Sequence, residues 1–151
     1  MTIGLALHVL AAIVWVGGMF FAYVVLRPAA GQLEPLPRLT LWRDVFARFF
    51  PWVWASVLAL LLSGYGMLLF GLGGFAGAGL HVHLMQALGL VMMALFGHLY
   101  FVPWRRLQRA LEGADGAAAA GQLGQIRRIV AINLALGLIT SVIGASGRFW
   151  G

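Results

Sequence analysis

Residues 3–26 read IGLALHVLAAIVWVGGMFFAYVVL, a run that contains no Asp, Glu, Lys or Arg. A helix needs about 20 consecutive apolar residues to cross the hydrocarbon core of a bilayer, and this run is long enough. Three further apolar runs follow, at residues 50–72, 82–102 and 126–146. The sequence therefore predicts an all-α integral membrane protein, with residues 1–151 forming a single four-helix transmembrane bundle.

The composition of the whole chain agrees with that fold class. Hydrophobic types make up 62% of the 151 residues, charged types make up 9%, and the mean hydropathy is +0.95. Soluble domains carry roughly 25% charged residues, so a soluble domain is excluded. Four spans leave no room for a separate catalytic domain, and any chemistry must use side chains or a cofactor inside the bundle. The absence of Cys excludes thiolate metal sites, iron–sulfur clusters and disulfides.

The distribution of charge predicts the orientation of the chain in the membrane. All ten basic residues are Arg, and nearly all lie in or just beyond the connecting segments 27–49 and 104–125. The positive-inside rule places these segments in the cytoplasm of a bacterium, with both termini on the outer, periplasmic side of the inner membrane. The net charge of +6 then indicates contact with anionic lipid headgroups, and we predict no nucleic-acid partner.

The four histidines are the candidate functional residues. An ionisable side chain inside a bilayer is costly and rare, so each is a functional hypothesis. In the predicted topology the first and third spans run in the same direction, which places His8, His81 and His83 at similar depth near the outer face. Imidazoles from these two spans could ligate one metal centre, and a haem inside a four-helix bundle is such a case.

Helix geometry limits how these histidines can be combined. His81 and His83 are two residues apart and point to nearly opposite sides of a helix, so only one of them would be an axial ligand, and the sequence does not decide which. His98 lies about 22 Å along the helix axis from His83 and would serve a second, inner site or a structural hydrogen bond. Arg148 would pair either with a haem propionate or with a lipid headgroup.

Two stretches carry a resemblance to known families. Residues 7–20 (LHVLAAIVWVGGMF) resemble the first helix of the CopD family of bacterial membrane proteins, which is associated with copper resistance. The same stretch is similar to the opening helix of the HemJ family, four- or five-helix haem proteins that oxidise protoporphyrinogen. Residues 80–84 (LHVHL) resemble the pattern Leu-His-Val-Lys-Leu of that second family.

These resemblances imply roles for two histidines. His8 matches the histidine that ligates haem in the HemJ family. His83 stands where that family has a Lys needed for activity, so the resemblance argues against protoporphyrinogen oxidation. A second imidazole at that position favours bis-histidine haem ligation or copper binding.

Three functions follow from these observations. The first is a b-type haem protein, working in electron transfer or as a haem-dependent oxidoreductase, with an unidentified electron donor or acceptor. The second is a copper-binding or copper-transport protein of the CopD type, and the third is an assembly subunit without a cofactor; we place haem b first. The copper hypothesis uses His8, His81 and His83 as an outer site and, along the bundle, Met19, Met85, Met92, Met93 and His98. The sequence leaves open whether the chain forms a homo-oligomer.

Overall fold

The computed structural model describes residues 1–150, and the regular elements within that range are helices. Four of them are long and apolar enough to cross a membrane: α1 (Thr2–Ala30), α2 (Pro35–Gly71), α3 (Leu80–Glu112) and α4 (Gly116–Phe149). The prediction of an all-helical, multi-pass membrane protein is confirmed. We call the end of the bundle that contains residues 31–34 and 113–115 the arginine end, and the opposite end, with residue 1 and the α2–α3 connection, the termini end.

The helices extend further toward the arginine end than the apolar runs predicted. α2 begins at Pro35, where a proline in the first turn has no hydrogen bond to lose. α4 begins at Gly116, after Asp115, whose carboxylate accepts the Ala118 N–H at 3.0 Å and caps the helix. The Ala/Gly-rich segment at 112–125, which belongs to the predicted connection 104–125, is therefore mostly helix.

Two of the helices contain a π-helical turn near the arginine end. The turn in α1 covers Phe21–Leu26, and the turn in α3 covers Tyr100–Trp104. Pro28 follows the first turn and Pro103 lies inside the second. A proline lacks the backbone N–H and its ring crowds the carbonyl four residues earlier, so a wider turn accommodates it without ending the helix.

The packing order places α1 and α3 diagonally across the bundle. α1 packs against α2 and α4, and α4 packs against α3. The remaining seam, between α2 and α3, is filled by aromatic rings whose centroids lie 5.1 to 6.1 Å apart. These rings belong to Phe50 and Trp54 of α2 and to Phe96, Tyr100 and Trp104 of α3. The order around the bundle is therefore α2, α1, α4, α3.

Three helices approach one another closely at Gly137 of α4. A Cβ atom at this position would lie 2.9 Å from Val16 Cγ2 of α1 and 3.1 Å from Met92 Cε of α3. Three helices thus meet at one glycine. Close approach of helices at small residues is the usual way in which membrane helices gain packing energy.

Asn133 is the buried polar residue at the centre of α4, and we expect its amide to contribute little to stability. It is 2% exposed, and its Nδ2 donates to the Met92 carbonyl oxygen at 3.1 Å. Its Oδ1 is buried without a hydrogen-bond partner among residues 1–150. Because the substitution Asn133→Leu removes one hydrogen bond and one unpaired acceptor together, we expect it to change the free energy of unfolding in detergent by less than about 1 kcal/mol.

The neighbouring Leu134 provides the comparison. It is 7% exposed, and Leu134→Ala should cost roughly 2 to 4 kcal/mol in the same unfolding titration, because it leaves a cavity. If Asn133→Leu were as damaging as Leu134→Ala, the amide would have a role beyond packing.

Candidate functional site

His8 lies in the seam between α1 and α2. Its chain neighbours Leu7 and Val9 are exposed on the surface of the bundle, whereas His8 is half-buried. The Nδ1 atom of His8 lies 2.9 Å from Ser63 Oγ of α2. The ring approaches the backbone closely, because a Cβ atom at Gly64 would lie only 3.2 Å from His8 Cε1. The imidazole is therefore directed into the bundle and away from the surrounding lipid.

The hydrogen bonds of Ser63 determine which nitrogen of His8 carries the proton. Ser63 Oγ lies 2.5 Å from the carbonyl oxygen of Ala59, one helical turn earlier. A hydroxyl has a single proton, and here it is donated to that carbonyl, so Ser63 Oγ accepts the hydrogen bond from His8 Nδ1–H. The lone pair of His8 is then on Nε2. A metal-binding histidine is usually held in this way, with one ring nitrogen anchored and the other free to ligate.

Two thioethers continue the row from His8 toward the termini end. A Cβ atom at Gly4, one turn before His8, would lie 3.4 Å from Met67 Cγ and 3.8 Å from Met67 Sδ. A Cβ atom at Gly71 would lie 2.6 Å from Met1 Sδ. Residues three and four apart on a helix are neighbours on one face, so His8, Met67 and Met1 follow one another along this seam. We call these three residues the soft-ligand row.

Sequence reasoning found His8 but missed Met67 and Ser63. The signal in the sequence is weak, because methionine is a common core residue and serine at this spacing is a common packing residue of membrane helices. Only the packing of α1 on α2 shows that Ser63 faces His8 and that Met67 faces Gly4, one turn before it.

The other two histidines near the termini end have different neighbours. His81 is half-buried and lies against Gly147 of α4, with its ring 6.5 Å from that of Trp150. His83 is exposed, and its ring stacks at 6.5 Å from Phe75 in the α2–α3 connection. The structure therefore does not bring His83 into the bundle.

This arrangement does not fit a haem held between the first and third spans. Two axial ligands must approach one iron from opposite sides of a flat ring. His8 of α1 engages α2, whereas His83 faces outward from α3, and α1 and α3 lie diagonally across the bundle. His81, the other candidate ligand from α3, lies against Gly147 of α4. Arg148, the predicted partner of a haem propionate, is exposed and lies over the Phe149 ring at 4.5 Å.

The outer copper site predicted from three histidines is also not formed. Across the 150 residues that the structure describes, no group of three or more His, Cys, Asp or Glu side chains could hold a metal ion. His98 is exposed on α3, far from the other three along the helix. Because the other three imidazoles are exposed or separated from one another, His8 is the histidine best placed to bind a ligand inside the bundle.

The methionines of the copper hypothesis occupy two kinds of position. Met19 and Met92 are each 3% exposed and belong to the hydrophobic core, and Met93 packs against that core. Met85 lies in the seam between α3 and α4, where its Cε is 3.1 Å from a Cβ placed on Gly144. These contacts are those of packing residues, in contrast to the row of Met67 and Met1 that begins at a hydrogen-bonded imidazole.

Comparison with known proteins gives one match. The family model described as copper resistance protein D matches residues 43–146, which include most of α2, all of α3 and most of α4. His8 lies outside the matched residues. No curated protein and no solved structure matches the chain.

Proposed function

Because this chain belongs to the copper resistance protein D family and is a copper-resistance-related membrane protein, we propose that it binds Cu(I) inside the bilayer and carries it across. The observation that supports this proposal is the anchoring of His8 Nδ1 by Ser63, which leaves Nε2 available in the seam where Met67 faces Gly4, one turn before His8. Copper is the substrate in this proposal.

The chemistry of the soft-ligand row favours Cu(I) over other metal ions. Thioethers are soft ligands that select Cu(I), and imidazole binds copper well. Ions such as Mg²⁺ and Ca²⁺ need several oxygen ligands, and Asp and Glu are confined to positions 34, 44, 112 and 115, outside the four apolar runs. Low coordination by one imidazole and one or two thioethers therefore suits Cu(I) here.

The position of the row suggests the direction of entry. Met1 is 80% exposed at the termini end, Met67 is half-buried, and His8 lies deeper in the seam. The concentration of Arg at the opposite end supports our placement of the termini end on the outer side of the bacterial inner membrane. In this orientation copper reaches the exposed thioether first and the imidazole last.

Met67→Leu tests the soft-ligand row. Leucine keeps the volume and removes the thioether, so we expect the affinity for Cu(I) to fall about tenfold. The measurement is an anaerobic titration of the detergent-purified protein against a chromophoric Cu(I) chelator. Met93→Leu is the matched control, because Met93 is half-buried outside the row, and it should change the affinity less than about twofold.

Two results would contradict the proposal. One is an equal loss of Cu(I) affinity in the Met67→Leu and Met93→Leu variants, which would show that Met67 does not differ from a methionine outside the soft-ligand row. The other is a purified protein that carries haem with a Soret absorption band and shows no affinity for Cu(I).

A further inference from the structure

The arginine end contains an open cavity of about 570 Å³ between α1, α2 and α4. Its wall includes three arginines from three different helices: Arg27 of α1, Arg38 of α2 and Arg127 of α4. No Asp or Glu is part of this wall. We call this space, defined by those three residues, the arginine cavity.

The three charges of the arginine cavity are not neutralised within the described chain. Among residues 1–150 the one salt bridge joins Arg43 to Asp44, at 3.0 Å. The Arg27 guanidinium lies 4.9 Å from the centre of the Tyr23 ring, a contact that leaves its charge uncompensated. Three like charges around one partly enclosed space repel each other, and a bound anion would relieve that repulsion.

The start of α4 also borders the arginine cavity. Gly116, the first residue of α4, and Ala120, one turn later, both lie on its wall. The Asp115 carboxylate caps this helix end by accepting the Ala118 N–H, and it offsets the positive potential of the helix N-terminus. The preference of the cavity for an anion therefore rests on the three arginines.

The remaining wall is apolar. Leu39, Trp42 and Leu123 line the cavity, and each side chain is at most 5% exposed. Arg27 is the first charged residue after the apolar run at 3–26, which places the cavity where the first span leaves the hydrocarbon. A ligand that fits this wall has an anionic group next to an apolar one.

We propose that the arginine cavity binds a phosphate group, and that an anionic phospholipid headgroup supplies it. Guanidinium forks match the oxygens of a phosphate, and basic pockets between membrane helices are typical binding places for anionic lipid headgroups. This site is independent of the copper proposal, because it lies at the opposite end of the bundle. Soluble phosphate has the same chemistry, and the experiment below separates the two sources.

The test compares lipid retention by native mass spectrometry of the detergent-purified full chain. Phosphatidylglycerol and phosphatidylcholine with identical acyl chains are the lipid probes, and inorganic phosphate is the soluble probe. The double variant Arg38→Gln with Arg127→Gln should lose about tenfold or more in affinity for phosphatidylglycerol. The matched control is Arg106→Gln with Arg128→Gln, which removes the same charge from exposed residues outside the cavity and should change the affinity less than about twofold.

Each outcome decides the proposal. A preference for phosphatidylglycerol that depends on Arg38 and Arg127 supports the lipid as the source. Binding of inorganic phosphate with the same dependence, and without a preference between the lipids, supports a soluble phosphate. Equal losses of affinity in the two double variants would overturn the proposal. So would binding of neither phosphatidylglycerol nor inorganic phosphate above the level of phosphatidylcholine.

A second double variant distinguishes a loss of binding from a failure to fold. Arg38→Lys with Arg127→Lys keeps both charges but removes the planar forks, so a severalfold loss is expected in a protein with unchanged Cu(I) affinity. Retention of full affinity by the lysine pair, with loss in the glutamine pair, would still support binding of the phosphate through charge.

Discussion

His8→Ala should reduce the affinity of the protein for Cu(I) by at least about a hundredfold. Partners that only orient a metal-binding histidine commonly contribute about 10- to 100-fold to affinity, so the loss of the ligand itself should exceed that range. The reason is specific to this seam: His8 is the half-buried imidazole whose Nδ1 is anchored by Ser63 and whose Nε2 is free. The measurement is the anaerobic competition titration, accompanied by growth of cells in copper-containing medium.

Two further variants separate ligation from general damage. His83→Ala removes an exposed imidazole and should leave the affinity within about twofold of the wild-type value. Ser63→Ala keeps the imidazole but removes its anchor, and we expect a loss of about tenfold. An equal effect of His8→Ala and His83→Ala would instead support a centre shared by the first and third spans, as the sequence alone suggested.

Gly137→Leu should strongly destabilise the fold. The new side chain would begin 2.9 Å from Val16 and 3.1 Å from Met92, where three helices already touch. Overpacking of a well-packed core typically costs about 1 to 3 kcal/mol, and a whole isobutyl group at such a narrow point should cost about 3 kcal/mol or prevent folding. The measurement is unfolding in mixed micelles, together with size-exclusion chromatography of the purified protein.

Gly89→Leu in α3 is the matched control, because no atom lies within 4 Å of a Cβ at that position. Leucine favours the helical state more than glycine by up to about 1 kcal/mol, so this variant should be as stable as the wild type or slightly more stable. Equal stability of the Gly137→Leu and Gly89→Leu variants would show that α1, α3 and α4 do not pack closely at Gly137.

The candidate site shows how far sequence reasoning can go. His8 was identified because an ionisable residue inside an apolar run is costly, whatever surrounds it. Counting residues along helices also predicted a similar depth for His8, His81 and His83. Their convergence did not follow, since depth says nothing about which face of a helix meets a neighbour. The structure places His83 outside the bundle and opposes His8 with Ser63, while Met67 faces Gly4 one turn away.

The lengths of the helices also show which features the sequence predicts and which it does not. Hydropathy marks the part of a helix that lies in hydrocarbon, and it correctly located four spans. It does not mark where a helix continues into the aqueous or headgroup region, so residues 35–49 and 116–125 lie outside the apolar runs although they are helical. Pro35 and Asp115 mark the starts of these helical extensions, because a proline is tolerated in the first turn of α2 and the Asp115 carboxylate caps α4.

The amino-acid sequence by itself determined the number of spans, the fold class and the two connecting segments in which charge collects. These properties belong to single segments, because a backbone in hydrocarbon must satisfy its own hydrogen bonds and charged residues must stay near water. The tertiary structure decided which helices are neighbours, and with them the partners of His8 and the walls of the arginine cavity. A helix that is apolar on all sides has no stripe that predicts its partner, so packing at small residues such as Gly64 and Gly137 selects the neighbours.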